Sequence, residues 1–208
     1  MTTLVLVAAS GLAGEVAAAA SGYDQIVAVD DDRERWGTVV GGAKVIGPVE
    51  LVSDCGADLV VCAGSGRVRR RLVGRLLDYG VTPERFATVI HPDASVAVGC
   101  EVGAGSILLA GVRLTSQVSV GRHVVAMPNA VLTHDDIVGD FATLCAGVAL
   151  GGEVVVAEAA YLGMNSSVRQ RLTVGTEAVL GMGAVLLENL PAGGTWAGVP
   201  ARPVRVPV

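Results

Sequence analysis

The stretch SVAVGCEVGAGSILLAGVRLTSQVSVGRHVVAMPNAVLTHDDIVGD, Ser95 to Asp140, decides how the second half of this chain folds. Every sixth residue from Val96 is aliphatic: Val102, Leu108, Leu114, Val120, Ala126, Leu132, Val138. The series runs on without insertion through Leu144, Leu150, Val156, Leu162, Val168, Val174 and Leu180 to Leu186. An α-helix repeats every ~3.6 residues and an ordinary strand every ~2, so neither produces this pattern. Small residues crowd the next position, as at Gly103, Gly121, Gly139, Gly151, Gly163, Gly175 and Gly181. A six-residue period of this kind is the signature of a parallel β-helix, with one aliphatic side chain per hexad pointing into the bore. With three hexads per coil, stepping by eighteen from Gly111 meets Asn129, Gly147, Asn165 and Gly183. Gly and Asn tolerate a left-handed backbone, so this column reads as one corner of a triangular prism.

Composition agrees. The 208 residues are 51% apolar but only 3% aromatic, so the core must be built from Val, Leu and Ala, which suits narrow repetitive packing. The net charge of −5 argues against a nucleic-acid surface, which needs clustered positive charge. No apolar run is long enough for a membrane span, and the start, MTTLVLVAAS, lacks the basic region of a signal peptide. Cys55, Cys62, Cys100 and Cys145 form no CxxC pair, which fits buried thiols in a reducing cytoplasm and disfavours structural zinc.

The first half has a different rhythm. LVLVAA (4–9) reads as a buried strand, SGLAGEVAAAA as a glycine turn and helix, and QIVAVDDD as a second strand ending in Asp30, Asp31 and Asp32. DLVVCAG is a further strand, and RVRRRLVGRLLDYG a helix stopped by Gly80. Apolar strands alternating with helices predict a small parallel sheet covered by helices. The division is therefore an α/β unit over 1–88, a β-helix over 89–188 and a tail over 189–208 that caps or extends the last coil.

Within the hexads, LTHDDIVGD (132–140) places His134 beside Asp135 and Asp136. His134 occupies the third place of its hexad, near a corner, and should face outward. Adjacent side chains diverge along a strand, but a corner relaxes that, so Asp135 can reach the imidazole. An aspartate there would fix the tautomer and stabilise the imidazolium, leaving the ring to act as a base. Gly152, eighteen residues on, lies one coil up, and its backbone N–H is the candidate oxyanion donor. Asp136 takes the fifth hexad place, where neighbours are small and apolar; it should be partly buried and hydrogen-bonded, bracing the His134 loop or meeting another subunit. His123 falls in the column Gly105, His123, Phe141, Ala159, Glu177, which reads as mixed surface, and His91 reads as a cap on the first coil. The run Arg67, Arg69, Arg70, Arg71, Arg75 reads mostly as the wet face of a helix.

These motifs resemble those of bacterial sugar acetyltransferases of the left-handed β-helix superfamily. The resemblance is to nucleotide-sugar N-acetyltransferases acting on 4-amino-4,6-dideoxy sugars, of the bacillosamine and perosamine type; the sialic acid O-acetyltransferases share the layout. It covers nearly the whole chain: the N-terminal half, the FATVIHPDA linker, the hexads and the AGVPAR tail. It implies a Rossmann-like N-terminal domain that binds the nucleotide sugar, left-handed coiling, a homotrimer and acetyl-CoA as co-substrate. His134, Asp135 and Val138-Gly139 match the family's His-Asp/Glu-x-x-Ile-Gly segment, in which the histidine is the base and the carboxylate raises its basicity. The resemblance puts acetyl-CoA contacts at Thr143, Gly152, Met164 and Met182. It puts substrate contacts at Ser10, Gly11 and Leu12, at Asp30, Asp31 and Asp32, and at Gly64. Two departures stand out: Leu12 replaces the family's turn histidine, and Gly64-Ser65-Gly66 replaces its Gly-Asn/Asp-Asn.

Three rival readings remain in view. An O-acetyltransferase acting on a sugar hydroxyl would use the same histidine. A non-catalytic trimeric scaffold would need no His-Asp pair. A γ-class carbonic anhydrase would need three histidines around zinc, and the hexads hold only His123 and His134, so no metal is expected.

Overall fold

The computed structural model describes residues 1–53 and 55–204. Its N-terminal part is a five-stranded sheet in the order β3-β4-β2-β1-β5, where β1 is Thr3–Val7, β2 Gln25–Val29, β3 Val39–Val40, β4 Ala43–Val45 and β5 Asp58–Val61. The pairings are parallel except β3 with β4. Two helices cover it, α1 (Gly11–Ala19) and α2 (Gly66–Asp78). Alternate residues of each strand serve opposite faces. Leu4, Leu6, Ala28 and Val60 pack on α1, while Val5, Val7, Val29 and Val61 pack with Val73 and Leu76 of α2. Both faces are buried, which is why these strands read as continuous apolar runs.

From Val89 the chain forms two-residue strands in three parallel sheets. Each strand pairs with the one eighteen residues later: Arg113 with Val131, Ser119 with Ile137, Val125 with Thr143. The sixth-residue series lines the interior from Leu108 to Leu186, almost wholly excluded from solvent. Burying a Val or Leu side chain stabilises by ~1.5–3 kcal/mol, and each coil borrows half its core from its neighbours, so the stack stands only as an array. The Gly/Asn corner is left-handed throughout: Gly111, Asn129, Gly147, Asn165 and Gly183 all have positive φ. So do the other two corners, where Gln117, His123, Asp135, Phe141, Glu153 and Arg171 carry the same conformation without being Gly or Asn. The tail extends one sheet, with Thr195–Ala197 parallel to Val179–Leu180 and Arg202–Pro203 returning antiparallel.

The N-terminal sheet does not hang free. Val89, Ile107, Leu109 and Val125 of the coils join the same apolar cluster as α1 and β1. On the other side of the contact, Gly66 at the start of α2 meets the β-helix so closely that an added Cβ would lie 2.1 Å from the Phe141 carbonyl oxygen.

Candidate active site

The corner between Leu132 and Ile137 builds the site. Asp135 takes the left-handed conformation at φ 61°, which swings its side chain out of the strand alternation and towards its neighbour. His134 Nδ1 and Asp135 Oδ2 meet at 2.8 Å. Both side chains stand on the outside of the prism, 58% and 57% exposed. A carboxylate on Nδ1 holds the proton there in the neutral ring and leaves Nε2 as the basic nitrogen. Nε2 leans over Gly152 on the coil above, where an added Cβ would lie 2.2 Å away. The Gly152 amide donates to no backbone acceptor among the described residues, while its carbonyl accepts from Arg171 at 3.0 Å. His134, Gly152, Glu153, Gln170 and Arg171 line a shallow groove of about 290 Å³. Glu153 and Arg171 pair across its wall at 3.0 Å.

Asp136 is wholly buried, deeper than the sequence reading of a partly buried group and away from any surface another subunit could meet. Its Oδ2 accepts from the Thr133 amide at 2.7 Å and its Oδ1 from the Val154 amide at 2.9 Å. Burial pushes its carboxyl up to about 6, against the pull of both amide bonds.

The remaining expected contacts fall into two groups. Met164 and Met182 are exposed on the coils after His134. Thr143 is not on the surface: it is fully buried, donating to the Gly64 carbonyl at 2.8 Å and accepting from Arg69 at 3.0 Å. Its hydroxyl is spent joining the coils to the N-terminal sheet and is withheld from a co-substrate. Ser10, Asp30 and Gly64 come together, as they follow the neighbouring strands β1, β2 and β5. Ser10 Oγ donates to the Cys62 carbonyl at 2.5 Å rather than capping α1, which has no side-chain cap; Gly11 is exposed beside it. Leu12 points into the core under α1, so its side chain is packing. The aspartates are engaged within the chain: Asp30 accepts from the Ala9 and Asp32 amides at 2.7 and 2.9 Å, Asp31 pairs with Arg75 at 2.5 Å, and Asp32 caps a short helix through Glu34. They brace the turn after β1 as much as they face solvent.

Two sequence readings change here. Arg69 is not on a wet face: it is fully buried and donates to the carbonyls of Ala63, Gly64, His123, Phe141 and Ala142. Burial pulls its guanidinium down to about 10. Its position was recoverable, since Gly66, Arg69, Val73 and Leu76 form one helical stripe and the other three are the contact residues. His123 is not mixed surface either. It is buried, stacked on Phe141 at 5.1 Å and edge-on to Phe86 at 4.8 Å, and burial lowers it to about 4, so it is neutral. His91 Nδ1 accepts from the Asp93 amide at 3.0 Å in the turn before Ser95, as a cap would. A cavity of about 580 Å³ lies at the other end of the sheet between Thr3, Gln25, Leu51 and Asp58, and none of the expected site residues line it. Among the described residues its walls offer no paired acid and base.

The hexapeptide-repeat prism, with an exposed imidazole–carboxylate pair on its rim, is shared with acyltransferases of the hexapeptide class. The chain is 30% identical over 192 residues to the GDP-perosamine N-acetyltransferase of Escherichia coli O157:H7, covering 86% of this chain and 82% of that protein. The acetyltransferase domain of PglB from Neisseria gonorrhoeae FA1090 superposes with a TM-score of 0.89 at 30% identity, covering 98% of this chain and 100% of that one. PerB from Caulobacter crescentus, solved with CoA and GDP-perosamine, gives 0.87 at 28% identity, covering 99% and 98%. No protein-family model matches the chain. The protein belongs to the perosamine- and bacillosamine-type N-acetyltransferases of the hexapeptide acyltransferase family.

Proposed function

We propose that the protein transfers acetyl from acetyl-CoA to the amine of a nucleotide-linked 4-amino-4,6-dideoxy sugar, with His134 as the base. The observation that carries this is the 2.8 Å contact of Asp135 with His134 Nδ1 on the outer surface, which frees Nε2 beside the Gly152 amide. Nε2 takes a proton from the sugar nitrogen as that nitrogen attacks the thioester carbonyl. Asp135 stabilises the resulting imidazolium, and the Gly152 N–H donates to the oxyanion. The imidazolium returns its proton as the C–S bond breaks and CoA leaves as the thiol. A sugar hydroxyl could be acetylated by the same groups; the amine is favoured because the relatives above are N-acetyltransferases, and two of them were solved with acetyl coenzyme A or with CoA and GDP-perosamine.

In this reading residues 1–88 form a Rossmann-like unit that holds the nucleotide sugar, supported by the convergence of Ser10, Asp30 and Gly64 and by the uncapped start of α1, whose amides suit a phosphate. Residues 89–188 form a left-handed β-helix, with Met164 and Met182 exposed along the path of the co-substrate, and 189–208 its tail. A homotrimer is supported by apolar groups left in solvent next to the site, Ile137 and Val155, which stack in one sheet. No helix among the described residues is long and apolar enough to cross a membrane. Four unpaired cysteines support a cytoplasmic setting. Among the described residues, no group of three or more His, Cys, Asp and Glu is placed to hold a metal ion.

The test is thiol release from acetyl-CoA with a panel of UDP-, GDP- and dTDP-linked amino sugars. His134→Ala should keep the wild-type melting temperature and lose ~100-fold or more in kcat. A fully active His134→Ala would remove the imidazole from the mechanism.

A further inference from the structure

Asp136 belongs to a column of one residue per coil: Cys100, Val118, Asp136, Val154, Leu172, Leu190. Val118, Val154, Leu172 and Leu190 fill the bore with aliphatic volume. A carboxylate in that place gives up both hydration and packing, so its bonds must justify it. One bond goes to the amide of Thr133, immediately before His134, and the other to the amide of Val154, two residues past Gly152. A single buried group thus ties the turn that carries the imidazole to the coil above, which carries the glycine beside the ring. One step down the column, the Val118 amide donates only a weak bond of 3.5 Å to the Cys100 sulfur.

We propose that Asp136 is a positioning residue: its two-amide clamp sets the spacing between the His134 ring and the Gly152 amide, and the clamp opens when the carboxylate takes up a proton. This rests on the acetyl-transfer reading. A carboxylate offers both oxygens as acceptors; a carboxylic acid turns one of them into a hydroxyl facing an N–H donor. Burial has moved this group up to about 6, so the clamp holds above that pH and weakens below it. The titratable groups bearing on it are His134, which favours the charged form, and Asp135, which opposes it. Val118 below and Val154 above do not titrate.

The experiment compares wild type, Asp136→Asn, Asp136→Val and His134→Ala between about pH 5 and pH 8. Asp136→Val places in the bore the residue already tolerated at positions 118 and 154, and melting curves check that it folds. Thiol release is measured against both substrates, and the histidine rings are titrated by NMR. The expected result is a fall in kcat of about 10-fold or more in both folded Asp136 variants, with each KM within about two-fold of wild type. The acid limb of kcat should carry an inflection near pH 6 in wild type that is lost in Asp136→Asn, and the same inflection, read in the His134 ring shifts, should vanish with that substitution. Folded variants with wild-type kcat or with only a raised KM, together with an unchanged His134 titration, would overturn the proposal. If wild type releases no thiol with any acceptor, the acetyl-transfer reading fails, and the ring titration still decides whether Asp136 governs the imidazole.

Discussion

Gly152→Ala is the sharpest test of the site, because it adds one methyl group where the imidazole already lies. The new Cβ would fall 2.2 Å from Nε2, 2.3 Å from Cε1 and 2.8 Å from Cδ2 of His134. Ordinary contact begins near ~3.4 Å, so the ring must retreat by about 1.2 Å. The Gly152 backbone is outside the left-handed region, so alanine is not strained there, and the obstacle is the end of a half-exposed side chain that can move. The fold should therefore hold, and the reduced freedom of the unfolded chain even favours alanine by ~0.4–1 kcal/mol. Catalysis has no such slack: a misplacement of about 1 Å costs ~100-fold in rate, equivalent to about 2.7 kcal/mol in the barrier. The assay is thiol release at saturating acetyl-CoA beside a thermal melt. Gly74→Ala is the control, since Gly74 sits in α2 with open space around it, and it should leave kcat unchanged. Wild-type turnover in Gly152→Ala, with an unchanged melting temperature, would refute the reading of His134 as a base held against this glycine.

Further outcomes follow from the same geometry. Asp135→Asn, which tolerates the left-handed backbone at this corner, should lower kcat by up to ~100-fold and leave stability nearly untouched, since the pair is exposed; equal losses of both would mean that the aspartate is structural. Burial lowers His123 from 6.5 to about 4, so the unfolded chain takes up the proton first. Its contribution is therefore complete above pH 6.5 and lost as pH falls towards 4, on the order of 3 kcal/mol. Asp136 acts in the opposite direction, because its raised carboxyl lets the native state bind the proton first as pH falls through 6. Urea unfolding of His123→Phe at about pH 7 and pH 5 should thus show less acid loss than wild type; an identical loss would mean that another group is responsible. Arg69→Met should destabilise by about 3 kcal/mol or more, because five carbonyls lose their donor. A urea midpoint like that of wild type would show that water replaces the guanidinium. Acetyl-CoA at ~100 times its Kd should add about 2.7 kcal/mol of stability, read as a raised melting temperature, and the absence of a shift would favour a non-catalytic scaffold.

Much of the site was open to a sequence reader because a β-helix converts spacing directly into position. Eighteen residues make one coil, so placing Gly152 above His134 needed only counting, and the coordinates put the two in contact. The His134–Asp135 contact was left open by the sequence, since it depends on a left-handed φ at a residue that does not advertise one. The Gly/Asn column revealed one corner, whereas the other two carry Phe, Glu, Arg and Gln in the same conformation and are invisible to residue type. Arg69 and His123 were read as surface because a polar ring or charge, taken alone, belongs in water, and Thr143 was read as a co-substrate contact from the resemblance. They are buried together where α2 meets the coils.

The alternation of hexads determined by itself that the second half is a prism with an aliphatic bore. That result is local: each residue's direction depends on the short-range period of the chain, and identical coils supply identical neighbours. Only the tertiary structure decided what the chain does where the two halves meet and where the corner turns. Arg69 can be buried because five carbonyls from separate segments converge on it, and Asp136 because two amides from successive coils do. Desolvation is settled by everything that surrounds a group, including segments far away in the chain, and no window of sequence contains that sum.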